Sequence, residues 1–195
     1  MKQSKSKVDR NTVENLIRRM LKKHKTPFLL IRRDVLEKQF NRFRKALPNV
    51  TPYYAIKANS YSDIIKKFAR LGAYFDVASI PEMDKVLELG VSPSRIIFAN
   101  TIKSEAAIIA SKRKGVRFMT FDNEPELYKI AKHFPRAQVL VRIKVENIGS
   151  VVELSLKFGA DHDQAVYLLK KAKSLGLIPM GVSFHVGSQA KNVEN

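Results

Sequence analysis

The residues able to do chemistry sit at the ends of short apolar runs. Lys57 closes the run YYAIK, behind Tyr53, Tyr54, Ala55 and Ile56. A lysine leaving an apolar wall is desolvated, and desolvation favours the neutral amine. Such an amine condenses with an aldehyde or ketone to form an imine. The same position also suits a lysine that snorkels to solvent. Later runs end in the same way: Asp76 to Ser79 close YFDVAS, Asn100 closes RIIFAN, Asp122 closes FMTFD, Arg142 lies near the end of QVLVRIK, and His185 and Ser188 follow MGVSF. Taken singly, each has a plainer reading. His185 suits a core histidine, Arg142 and Asp76 an ion pair, Asp122 a helix cap, and Glu82 the charge of a first helical turn. Convergence of the whole set on one rim is what would make them a site.

The elements that must position them follow a rhythm. Runs rich in β-branched and aromatic residues cover 53–57, 74–79, 95–100, 118–122, 138–144 and 180–187. The first five start about 20 to 23 residues apart, the length of a strand, a helix and two short loops. Amphipathic stretches fill the gaps. DIIKKFARLG opens at Ser60 or Ser62, EMDKVLELG follows Pro81, EAAIIASKRKG follows Ser104, and EPELYKIAKHF follows a cap at Asp122 or Asn123. The interval before the last run is longer, with IGSVVELSLKFG as an excursion and DQAVYLLKKAKSLG as the helix. Ahead of the rhythm, a helix is expected over Thr12 to Lys23. PFLLI then reads as a short strand, and Asp34 as the cap of a helix through VLEKQFNRFRKAL. The organisation is therefore a helical segment over 1–26 and a βα domain over 27–195.

A repeated βα unit predicts parallel strands with right-handed crossovers. No G-x-G-x-x-G follows the first strand, so the expected closure is an α/β barrel rather than an open doubly wound sheet. In a barrel the chemistry lies at the carboxyl ends of the strands, where the polar residues fall. Six strands of the eight are counted in the chain.

Composition narrows the alternatives. There is no cysteine, which excludes disulfides, cysteine-ligated zinc and a thiol nucleophile within these 195 residues. No apolar run approaches the roughly 18 residues of a membrane span, and the basic N-terminus lacks a secretory apolar segment. The expectation is a cytoplasmic protein without a membrane partner. Lys and Arg total 36 against 18 acids, a net charge of +18. The bases are spread along helix-like segments, so solvated helix faces are expected in preference to a nucleic-acid surface.

Seven segments, in order, carry a family likeness: YYAIKAN, FDVAS-x-x-E, SRIIFANTIK, GVRFMTFDNEPEL, VLVRI, LSLKFGA and GVSFHVGSQ. Together they resemble the fold-type III pyridoxal phosphate-dependent amino-acid decarboxylases, the ornithine/lysine branch more than the alanine racemases. The resemblance implies an alanine racemase-like (β/α)8 barrel, pyridoxal 5'-phosphate as cofactor, and decarboxylation of ornithine to putrescine or lysine to cadaverine in polyamine biosynthesis. It implies that Lys57 carries the cofactor covalently, that His185 stacks on its ring, and that Ser188 binds its phosphate. Arg142 and Asp76 would line the cofactor side of the barrel, Glu82 the same rim, and Lys157 a homodimer interface. Family members also have a later phosphate loop, a glutamate for the ring nitrogen and a C-terminal β-domain. None is found up to Asn195, so a truncated, inactive fragment is expected. The rivals are a diaminopimelate decarboxylase, a non-catalytic pyridoxal phosphate-binding or regulatory homologue, and a basic nucleic-acid binder.

Overall fold

The computed structural model describes residues 10–146, 150, 157–189 and 191. Helix α1, Arg10–Leu21, begins two residues ahead of expectation. PFLLI is not a strand: residues 28–32 carry no ladder, and Leu29 is 80% exposed. A β-prone run becomes a strand only beside a partner edge, and none of the described strands runs alongside it. Helix α2, Arg33–Ala46, has Arg32 rather than Asp34 at its N-cap. Asp34 sits in the first turn, and its carboxylate pairs with the Arg32 guanidinium.

The six expected runs form one parallel sheet: β1 Tyr53–Ala55, β2 Tyr74–Val77, β3 Ile96–Phe98, β4 Phe118–Phe121, β5 Gln138–Arg142 and β6 Ile178–Ser183. Their spatial order is their chain order, β1-β2-β3-β4-β5-β6. Every crossover thus steps one strand in the same direction, the winding of a barrel; a doubly wound sheet reverses at a switch point. The connecting helices are α3 Ser62–Arg70, α4 Ile80–Glu88, α5 Glu105–Lys114, α6 Glu124–His133 and α7 His162–Ser174. Of the excursion IGSVVELSLKFG, most lies outside the described residues.

Alternation along the strands decides where the core sits. Phe75, Val77, Ile96, Phe98, Met119, Phe121, Val139 and Val141 are buried in one cluster with Ile65, Met83, Ile108, Leu127 and Leu168 of the helices. Each such large side chain contributes about 2 kcal/mol or more on burial. The alternate residues include Tyr53, Met180 and Val182, which stay exposed on the outermost strands β1 and β6.

Helix starts are set by side chains close to the strand ends. Ser79 accepts from the Glu82 N–H, Ser104 from Ala107 and Asn123 from Glu126. Neither expected serine caps α3; Asn59 Oδ1 instead accepts from the Tyr61 N–H at 2.9 Å. Strands β1 to β4 therefore pass into short, hydrogen-bonded turns, and the polar residues lie in these turns or, like Asp76 and Arg142, on the strands themselves.

Candidate active site

A cavity of about 430 Å³ opens at the carboxyl ends of the strands. Lys57, Asp76, Glu82, Arg142 and His185 line it, so five of the seven sequence-selected residues come together. A second cavity of about 520 Å³ lies under Leu29–Ile31, between α2 and α3. Its charged groups, Arg33 and Asp63, pair with each other at 2.7 Å, and the one other ionisable side chain lining it is the Tyr61 phenol. The first cavity is where unspent chemistry is concentrated.

Lys57 is the middle residue of a 3-10 turn, Ile56–Ala58, that continues β1. Buried Ile56 anchors the turn, and the Tyr54 hydroxyl braces it by donating to the Asn59 carbonyl at 3.0 Å. The expected desolvation of Lys57 is not observed: the side chain is exposed. The reason is local. The apolar wall ends at Ile56, and the turn swings the next side chain out to the cavity mouth.

Asp76 lies beside this turn because β2 pairs with β1 in the register Ala55↔Asp76. Burial pushes its carboxyl above the ordinary range; Glu82 adds to this and the Lys57 ammonium opposes it. Glu82 serves two ends. Its carboxylate reaches back to accept from the Ala78 N–H at 2.7 Å, one residue ahead of the Ser79 cap, and it also lines the cavity.

Arg142 ends β5. Its guanidinium lies 5.3 Å from the centroid of the Phe158 ring. Burial lowers its pKa and Asp122 opposes that shift. No Asp76–Arg142 ion pair forms among the described residues. Asp122 is not the cap of α6, since Asn123 is; it accepts instead from Asn123 Nδ2 at 2.7 Å and from the Gly159 N–H at 3.0 Å.

His185 lies two residues beyond β6. Its Nδ1 accepts from the Gly187 N–H at 2.9 Å, which leaves the ring proton on Nε2 in the neutral tautomer. Burial, then Arg142, then Lys57 push its pKa below the usual 6.5. It is a neutral aromatic plane rather than a buried core histidine. Ser188 is half-buried three residues further on, and Lys157 is exposed in a turn; neither lines the cavity.

Sequence reading missed three features. Thr101 and Phe158 line the cavity. Phe158 lies inside the KFGA segment, but nothing in one sequence says that its ring meets Arg142. Lys103 and Glu126 form a buried ion pair at 3.0 Å just below the rim, one from the loop ahead of the Ser104 cap and the other from a stretch that reads as an amphipathic helix.

The set fits an anionic aromatic aldehyde such as pyridoxal 5'-phosphate. Lys57 offers an accessible amine, His185 a neutral plane, Arg142 a guanidinium without a carboxylate partner among the described residues, and Asp76 an acid. Residues 33–195 match the family model described as pyridoxal-dependent decarboxylase, pyridoxal binding domain. A lysine/ornithine decarboxylase of Selenomonas ruminantium is 43% identical over 177 residues, covering 91% of this chain and 45% of that protein. Antizyme inhibitor 2 of Xenopus laevis is 46% identical over 155 residues, 80% of this chain and 34% of that protein. The solved structure of an SrLDC mutant in complex with PLP superposes with a TM-score of 0.88 at 42% identity, over 92% of this chain and 47% of that one. The chain thus spans less than half the length of each.

Proposed function

The chain belongs to the pyridoxal-dependent decarboxylases, its residues 33–195 being their pyridoxal-binding domain, and we propose that it supplies the cofactor-lysine part of a carboxy-lyase acting on ornithine or lysine. The observation that carries this reading is the meeting of Lys57, Asp76, Arg142 and His185 in one cavity at the strand ends. The substrate class rests on the relative of Selenomonas ruminantium, a lysine/ornithine decarboxylase. Putrescine or cadaverine is then the product, and polyamine synthesis its use.

When bound, pyridoxal 5'-phosphate supplies a ring that accepts the electron pair left by departing carbon dioxide. The protein's part is placement. Lys57 Nζ, at the cavity mouth, is the amine that holds the cofactor. His185 stays neutral and lends a flat face for stacking. Arg142 offers N–H donors to an anionic group. Asp76, with its raised pKa, keeps its proton to higher pH than an ordinary aspartate. We assign Ser188 to the cofactor phosphate and Lys157 to the interface of a homodimer; the cytoplasm is the proposed compartment. No described helix is long and apolar enough to cross a membrane.

Borohydride reduction with pyridoxal phosphate, followed by peptide mapping, tests the reading. The label is expected on Lys57 and is absent from Lys57→Ala. A label on another lysine with Lys57 unmodified refutes it. A second reading, a non-catalytic regulatory homologue, is favoured by the 46% identity to antizyme inhibitor 2. Absence of any label supports that reading instead.

A further inference from the structure

We propose that Phe158 is a positioning residue, holding the Arg142 guanidinium in the cavity by its ring face so that all five N–H donors stay free for a ligand. The inference rests on the cavity being the cofactor site. A carboxylate would hold an arginine more strongly, but it would neutralise the charge and occupy the donors. An aromatic face holds the plane and uses none of them. The described residues show that arrangement: the ring centroid is 5.3 Å from the guanidinium carbon, Phe158 and Arg142 line the same cavity, and no carboxylate pairs with Arg142.

The ring is delivered by backbone that is pinned to its own target. The Ala160 N–H donates to the Arg142 carbonyl at 2.8 Å, and the Lys144 N–H to the Ala160 carbonyl at 2.9 Å. One residue earlier, the Gly159 N–H donates to the Asp122 carboxylate at 3.0 Å. Gly159 has φ +103°, and a Cβ there would sit 2.7 Å from the backbone of Ile143 and Lys144. Only glycine permits this approach. Asp122 therefore acts on the guanidinium twice, through its field and by fastening the loop that carries the ring.

A double-mutant cycle tests the proposal, with two readouts. One is the dissociation constant for pyridoxal phosphate by fluorescence titration. The other is the His185 titration midpoint by NMR in cofactor-free protein. Lys57 and Arg142 supply the positive field at His185, and Asp76 and Glu82 line the same cavity. Phe158→Ala is expected to weaken cofactor binding roughly three- to tenfold and to raise the His185 midpoint as Arg142 leaves. Gly159→Ala reproduces both changes, and Phe158→Trp restores both. In an Arg142→Gln background, Phe158→Ala changes neither. If it changes the His185 midpoint equally in both backgrounds, the ring acts on its own and the proposal is overturned. The His185 arm needs no cofactor, so it holds even if the parent binds no pyridoxal phosphate, the outcome that would fail the functional reading instead.

Discussion

Replacing Lys103 by Met would expose how the rim is held. Lys103 is 2% exposed, and its ammonium donates to the Asn100 carbonyl at 2.9 Å and the Thr120 carbonyl at 2.6 Å. It also pairs with Glu126 at 3.0 Å and lies 5.9 Å from the Phe98 ring centroid. One side chain thus ties the ends of β3 and β4 to the first turn of α6. Methionine keeps the length and loses every polar contact. Removing one partner of a buried pair costs about 3–5 kcal/mol. Glu126 keeps Lys129 at 2.6 Å and the Lys103 N–H at 3.2 Å, which favours the lower end. A loss near 3 kcal/mol is a large share of the roughly 5–15 kcal/mol typical of a domain. For a chain of this size it lowers the melting temperature by roughly 6–12 °C. Urea unfolding followed by circular dichroism measures it. Lys103→Met/Glu126→Gln is expected to recover part of the loss, because no charge stays buried and the amide oxygen can still accept from the Lys103 N–H. A single variant within about 1 kcal/mol of the parent refutes the reasoning, as does a double variant no better than the single.

Further outcomes follow from the same geometry. The half-buried Asp76 carboxyl is held above its ordinary 3.8, so its favourable contribution is complete below that value and is lost as pH rises through the folded one. Asp76→Asn should therefore stabilise the cofactor-free protein at neutral pH, with a gap that closes on acidification; a gap independent of pH in urea titrations would contradict this. His185 is held below 6.5, so the neutral ring's contribution is present above 6.5 and is lost as pH falls through the folded value. Lys57→Gln removes one of the two cations responsible and should move the NMR midpoint upward; an unmoved or lowered midpoint counts against the field assignment. Asn123→Ala removes the acceptor for the Glu126 N–H, at 2.9 Å, and should cost about 1 kcal/mol in thermal melting. Asn123→Ser should restore it, and an alanine variant that melts like the parent would show the cap to be idle.

The alternation of β-prone runs and amphipathic stretches was legible because both periods are written in neighbouring residues. Apolar bodies ending in Lys57, Asp76, Arg142 and His185 named the rim, since a barrel gathers the carboxyl ends of its strands whatever the loops contain. Residue type alone could not decide what happens across strands. PFLLI has the composition of a strand and no partner edge among the described residues. Asp122 and Asn123 are equally good caps on paper, and only the approach of Gly159 assigns the carboxylate to the loop and the amide to the helix. Lys57 follows an apolar run yet stands exposed, because a 3-10 turn replaces the last strand residues. The Lys103–Glu126 and Arg142–Phe158 contacts join segments whose separation is fixed by parallel register and loop path. Those are set by the packing of the whole sheet against its helices, and no local period encodes them.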